Sequence, residues 1–483
     1  MHLHDPSPAA GVSLQKVITT RQFVMMALSS SIGAGVLLAT YSSLAVGGPG
    51  SLLVSFAVVG LAVWITMCAL GELSVAFPVS GSFYEYSVRF VSPAWGFAMG
   101  WNYVINFLFI VVFELVVILQ CVRYWGGDLS AYSIIPAFIG GLVLVNAFGA
   151  KWYAEAENFF AVCKIIVLSA FIIVAILING APGFLYVFMA AGMAYGGTEM
   201  LGLTTAECEN PRGVMPLACK IVPVRIIWLY LLPIFMLGLV LQVPLDEDMQ
   251  SGGISPFVAA MDQAGLPVLA TIFNVIIIVA IFSMASASAF ASSRALQAIS
   301  ARGMGPRLFA KVKWGHPIWA LVLVFVVSLL SLVKAAENGD KVFDWLLALA
   351  AGSNYFTWMS ICVCHIRLRL AIRKKGLEED QILKWKSPAG VAGSALAIAV
   401  FLFGLSAQIV AATRCPLPRP PHILSSVLGI IVVFLFWVGY MVVKRGALLI
   451  PIDQIDLQVK GGSDMGFREN IDIERVETSI SGP

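Results

Sequence analysis

Charge is what this 483-residue chain has least of: Asp, Glu, Lys and Arg together make up 12% of it, about half the share usual in soluble domains. So few charges cannot cover a water-facing globule of this length. Signals for chemistry are scarce as well. There is no His-Glu-x-x-His run and no paired catalytic aspartate motif, so an intramembrane enzyme has no candidate nucleophile, base or metal set. The eight cysteines are scattered, most of them inside apolar runs. Cys362-Val363-Cys364-His365 has no further ligand at metal spacing nearby and reads as buried thiols. No cofactor is expected. A net charge of +3 is too small to argue for nucleic acid. The first 20 residues are polar and lack the apolar core of a cleavable secretory signal.

Apolar residues, by contrast, make up 59% of the chain and are gathered into long runs. About 20 such residues, rising about 1.5 Å each as a helix, cross the hydrocarbon core of a bilayer. The runs are continuous rather than alternating, so they read as helices and not as barrel strands. Twelve spans are expected, at roughly 22–43, 51–76, 95–118, 131–149, 159–179, 184–206, 222–243, 267–291, 317–335, 342–365, 389–411 and 422–443. Residues 1–21 form an N-terminal tail, 22–443 one transmembrane domain, and 444–483 a polar C-terminal tail whose mixed charge predicts disorder. Basic residues test the orientation. With both ends in the cytoplasm, 24 of the 30 Lys and Arg fall on the cytoplasmic side, five fall outside and one, Lys164, lies within a span.

Two spans carry glycine interruptions. Span 1 contains Ser29-Ser30-Ser31-Ile32-Gly33-Ala34-Gly35-Val36, and span 6 contains Met193-Ala194-Tyr195-Gly196-Gly197-Thr198-Glu199. Five spans separate them, so they hold matching positions in two five-helix halves, which is the pattern that points to a transporter's substrate site. Unwinding a helix at mid-bilayer frees N–H and C=O groups that lipid cannot satisfy. Freed amides suit a carboxylate and freed carbonyls suit an ammonium, so the pair fits a zwitterionic amino acid. Glycines that merely allow close helix packing would leave the same trace.

At these residues the chain resembles the fungal amino acid permeases of the amino acid–polyamine–organocation superfamily, from Gln22 to about Gln458. The resemblance is carried by Gly47-Gly48-Pro49-Gly50-Ser51, by Gly71-Glu72-Leu73 with Phe77-Pro78-Val79-Ser80-Gly81, and by Trp95-Gly96-Phe97-Ala98-Met99-Gly100-Trp101-Asn102-Tyr103. Ala206-Glu207-Cys208-Glu209-Asn210-Pro211-Arg212, Ser292-Ser293-Arg294, Phe356-Thr357-Trp358 and Cys364-His365-Ile366-Arg367 continue it in order. It implies an all-α membrane protein with a five-plus-five inverted repeat, broken helices 1 and 6 and two extra C-terminal helices. It also implies proton-coupled amino acid uptake, at a plasma membrane, by alternating access. The backbone at Ile32, Gly33, Ala34 and Gly35 would hold the substrate carboxylate, and carbonyls at Met193, Ala194 and Gly196 its amino group. Tyr195 matches the family's aromatic gate.

Ionisable residues within spans are costly and so are functional candidates. Lys164 lies about two turns past Glu157; the resemblance gives its ammonium the place of a sodium ion bridging helices 1 and 8, with proton loss and gain driving the cycle. The alternative is snorkelling to the interface. Glu199 continues the second interruption, as a backbone partner or a proton carrier. Glu207 is a gate or a solvated helix-end charge. Glu114, deep in span 3, is read as contacting the substrate side chain or a proton, with Asn102 and Tyr103 lining the same cavity or bonding between helices. Departures from the family pattern are Ser29-Ser30 for two glycines, Ala34 for a hydroxyl residue, Met193 for an aromatic, Ser286 for an asparagine, and a loop at 179–183 much shorter than in relatives. No charged group beside the interruptions demands a basic or acidic substrate. An amino acid sensor, or a divergent permease of low activity, stands as the alternative function.

Overall fold

The computed structural model describes residues 16–79, 81–126, 130–176, 194–241, 254–335, 352–414, 420–444 and 448–457. Among these the chain is helical, with no strand and two isolated bridges, Ile18–Cys208 and Lys313–His316. In a medium that offers no hydrogen bonds, apolar runs satisfy their own backbone as helices. In order they are α1 (Thr20–Ser29), α2 (Ala34–Leu37), α3 (Ala39–Ala76), α4 (Phe83–Phe90), α5 (Pro93–Arg123), α6 (Ala131–Ala147), α7 (Ala150–Ile176) and α8 (Met200–Thr204). The rest are α9 (Pro211–Arg225), α10 (Leu232–Val240), α11 (Pro256–Gln263), α12 (Pro267–Ala301), α13 (Ile318–Ser328), α14 (Ser353–Lys374), α15 (Glu379–Ile382), α16 (Gly390–Arg414) and α17 (Pro420–Lys444). Among the described residues seven helical stretches are long and apolar enough to cross a membrane, and two shorter helices, 131–147 and 318–333, are apolar as well.

Local chemistry sets where these helices begin. Thr19 and Gln22 form a reciprocal capping box at α1. Ser92 caps α5, and Asn210 caps α9; in both, proline follows at the first helical position, where its missing N–H costs nothing. Where a loop is expected between the first two spans, two helical stretches of α3 meet at a kink: Gly48, at φ 69°, leaves helical geometry and makes the turn that a side chain would resist. Between α9 and α10 the helix widens into a π-turn at Ile226–Leu231, a feature that often marks functional positions.

The core is built on α5 and α12, which pack against each other over much of their length. Residues 283–300 of α12 are buried on every face. The C-terminal tail departs from the expected disorder. Its 448–457 stretch docks on the C-terminal ends of α4 and α14: the Ile450 amide donates to the Val91 carbonyl at 2.8 Å, Arg89 donates to the Asp456 carbonyl at 2.7 Å, and Lys375 to the Ile455 carbonyl at 2.7 Å. Ile455 is fully buried there. Backbone acceptors and an apolar anchor outweigh the polar composition that suggested a free tail.

Glu72, near the end of α3, is buried and holds this face together. Arg369 of α14 donates to both its oxygens, at 2.7 and 2.8 Å, the Ser387 amide donates at 2.6 Å, and His365 Nε2 lies 3.1 Å away. Removing one member of a buried ion pair strands the other charge, at a cost of about 3–5 kcal/mol. Arg369→Ala is therefore expected to lower the apparent Tm of the detergent-purified protein by several degrees. Adding Glu72→Gln should recover part of that loss, because no uncompensated charge remains.

Candidate functional site

The first interruption is real. α1 ends at Ser29, the Ile32 amide turns back to the Ser29 carbonyl at 3.0 Å, and Gly33 is extended before α2 begins at Ala34. The groups around this break are capped by buried charge. On the carbonyl side, Lys164 Nζ donates to the Ser29 carbonyl at 3.0 Å and Arg225 Nη1 to the Ala27 carbonyl at 2.9 Å. On the amide side, the Ala34 N–H donates to Glu114 at 3.3 Å (Oε1) and 3.2 Å (Oε2). Cations on carbonyls and an anion on an amide are the pairing that backbone dipoles favour.

The second interruption follows the same logic. Residues 195–199 form a turn with Gly197 at φ 96°, and α8 starts at Met200. Glu199 folds back on it: the Gly197 amide donates to Oε1 at 3.3 Å, and Trp358 Nε1 of α14 donates to Oε2 at 2.8 Å. Thr198 Oγ1 donates to the Tyr195 carbonyl at 2.8 Å and accepts from Arg225 Nη2 at 2.6 Å. One guanidinium thus touches both breaks.

The two breaks meet. The Tyr230 hydroxyl lies 2.7 Å from Ser31 Oγ and donates to the Ala194 carbonyl at 3.2 Å, one tyrosine joining residues on either side. Tyr195 stacks on Tyr230 with ring centroids 4.6 Å apart and donates to the Phe56 carbonyl at 3.1 Å. Met284 of α12 fills the space between them. A Cβ added to Gly33 would lie 2.6 Å from Met284 Cγ and 2.7 Å from Glu114 Oε1, while one on Gly197 would lie 3.3 Å from Met284 Cε and 3.5 Å from the Ser30 carbonyl. Ile32, Gly33, Ala34, Ala194, Tyr195 and Gly196 are all buried, and Gly35 partly so. Met193 and the 179–183 loop lie outside the described residues.

Lys164 does not snorkel; it is fully buried. It reaches helix 1 directly and α12 through Glu157, whose Oε1 lies 3.6 Å from Nζ. Glu157 in turn accepts from Ser29 Oγ at 2.8 Å and from Ser283 Oγ at 2.7 Å. Glu207 is not a solvated helix end: it is buried and paired with Arg294 at 2.8 Å, and its carbonyl accepts the amides of Val17 and Ile18. Asn102 is drawn away from the breaks, donating to the Ser353 carbonyl at 3.2 Å, so the interhelical bond holds there. Neighbouring Tyr103 is packed between Phe83 and Phe107. Among the described residues no three His, Cys, Asp or Glu side chains gather as a metal site.

Sequence reasoning missed Arg225, Tyr230 and Met284 at the breaks, and gave Glu157 no role. Arg225 sits at the edge of the 222–243 span and counts there with the cytoplasmic basic residues. Arg294 lies beyond the end of the expected 267–291 span, whereas α12 runs on as helix to Ala301 and buries it.

Comparison with known proteins agrees with the motifs. A family model described as amino acid permease matches residues 22–449. The general amino-acid permease GAP2 of Candida albicans is 34% identical, over 98% of this chain and 84% of that protein. The amino-acid permease inda1 of Hypocrea atroviridis is 34% identical over 95% of this chain and 85% of its own length. The cationic amino acid transporter 1 of Schizosaccharomyces pombe is 32% identical over 98% and 85%. The chain belongs to the amino acid permease family, a family of membrane-embedded transporters.

Proposed function

We propose that this chain takes up amino acids together with protons, by alternating access around the two interruptions. One observation carries the coupling: the Ala34 amide, where the substrate carboxylate is expected, already holds the carboxylate of Glu114. Two carboxylates cannot share one buried amide while both are ionised, because like charges at that distance repel strongly in a low dielectric. An arriving substrate therefore requires Glu114 to take a proton and release the amide, so proton and amino acid travel together. The substrate ammonium goes to the carbonyls around Ala194 and Gly196, with Tyr195 closing over it.

This moves the proton from Lys164 to Glu114. Lys164 Nζ has an ion-pair partner in Glu157 and a carbonyl acceptor at Ser29. It serves as the fixed cation that keeps α1, α7 and α12 joined. Glu199 steadies the second break. Glu207 and Arg294, with the Val17–Ile18 strand-like pairing beside them, form the cytoplasmic closure that separates when the site opens inward.

A twelve-span inverted repeat with both ends in the cytoplasm, at the plasma membrane, fits this cycle. The basic-residue bias supports that orientation. So does the inner end of α12, where Arg294 meets the N-terminal pairing while Arg302 pairs with Glu85 of α4, beside the docked C-terminal segment.

The direct test is uptake of radiolabelled amino acids in yeast lacking its own permeases, at two pH values. Wild type should take up more at the lower pH. Glu114→Gln, which cannot ionise, should still bind and exchange substrate, while its ratio of uptake at low to high pH falls to about one. Wild-type pH dependence in that variant would defeat the assignment. Lys164→Ala should lose uptake at every pH; if it keeps uptake and loses only the pH response, the coupling proton belongs to Lys164. Gly33→Ala should raise KM at least tenfold, since its Cβ meets Met284 and Glu114 inside contact distance.

A further inference from the structure

The stretch that joins α12 to α13 carries charge of one sign. Arg302, Arg307, Lys311 and Lys313 fall within it, and the sequence holds no Asp or Glu between Asp262 and Glu337. It ends in a tight turn. The Lys313 amide donates to the His316 carbonyl at 2.9 Å, and the His316 amide to the Lys313 carbonyl at 3.0 Å. Both central residues have left-handed backbones, Trp314 at φ 54° and Gly315 at φ 78°. Glycine takes that conformation freely, whereas a bulky side chain there is strained. The turn holds Trp314 outward, 73% exposed, with Lys313 Nζ 4.4 Å from its ring centroid.

This turn is pinned to a second exposed element. A Cβ added to Gly149, at the junction of α6 and α7, would lie 2.1 Å from His316 Cε1, so the imidazole fits only against bare backbone. Tyr153 stacks on Phe290 with centroids 4.1 Å apart and fixes this end of α7 to α12. The first turn of α7 then sets Lys151 and Trp152, both exposed, beside the loop. Among the described residues Lys151, Lys311 and Lys313 have no ion-pair partner. Glu155, one turn further on, is drawn toward α1, where Gln22 donates to it at 2.7 Å. Open indoles gain nothing from water, but the headgroup layer of a bilayer accommodates their rings, and an anionic inner leaflet attracts the lysines. We propose that Lys151, Lys311 and Lys313, with Trp152 and Trp314, form a docking surface for an anionic phospholipid of the cytoplasmic leaflet. The proposal rests on the orientation given above, which puts this loop inside. His316 also lies near enough to Arg294 and Glu207 to feel both charges, so the surface adjoins the proposed inner closure.

The probe is brominated lipid, which quenches tryptophan fluorescence on contact. The purified full chain is placed in phosphatidylcholine vesicles holding increasing amounts of brominated phosphatidylserine or of brominated phosphatidylcholine. The Trp314 signal is taken by difference from Trp314→Phe. One basic residue beside an anionic surface favours binding about fivefold, so half-quenching should need at least about fivefold less of the serine lipid. Changing Lys151→Gln, Lys311→Gln and Lys313→Gln together should bring the two amounts level. Wild type in about 0.5 M salt should do the same, because screening then acts within about 10 Å, and this arm needs no variant to fold. Equal amounts for wild type at low salt, or a preference that survives the triple change or the salt, overturns the proposal. The orientation is checked separately with Trp314→Cys and a membrane-impermeant maleimide. Labelling only after the cells are opened is expected. Labelling of intact cells puts the loop outside, which defeats the orientation and the proposal with it; an inside loop with equal quenching defeats the lipid surface alone.

Discussion

The structure is organised by a backbone that stops being a helix where nothing outside the chain can make up the lost hydrogen bonds. Breaking the first helix between Ser29 and Ala34 leaves polar main-chain groups inside an apolar bundle, and each must find a partner or the break would heal. The partners come from three other helices: Glu114 from α5, Lys164 from α7 and Arg225 from α9. Each is an ionisable side chain, the type able to make charge-assisted hydrogen bonds to backbone groups. Each then needs its own compensation, which accounts for Glu157 and for the serines at positions 29 and 283 that hold it. The polar core of this membrane protein is a chain of consequences from a single interruption.

The second break obeys the same constraint with a smaller set. Glu199 bends back onto the Gly197 amide, and Trp358 fixes its other oxygen. Tyr230 then joins the two breaks at a distance too short for either to shift alone. Through these bonds α1 and residues 194–199 form one connected unit, the arrangement on which the proposed cycle relies.

Much of this was legible in the residues. Long apolar runs mark the helices, because burying backbone in lipid leaves no other local solution. The matched interruptions mark the breaks, because glycine in a crowded span needs a reason. What could not be read was which distant side chain meets which carbonyl. Arg225 looked like one more basic residue near a helix end, since hydropathy locates a charge along the sequence and says nothing of the neighbouring helix it enters. Glu157 was masked in the same way. Gly48 marks the expected join between two spans, a turn made by one positive φ instead of a loop. The 448–457 segment failed for the opposite reason: composition measures average polarity, and its docking depends on main-chain acceptors that every sequence possesses.

Met284 gives the site a last property. Its thioether side chain lies against both Gly33 and Gly197, where the body of a small zwitterion would go. Methionine is unbranched and turns easily about its bonds. In the proposed cycle an entering amino acid trades places with this side chain, and how far Met284 swings sets the size of substrate the place between the breaks admits.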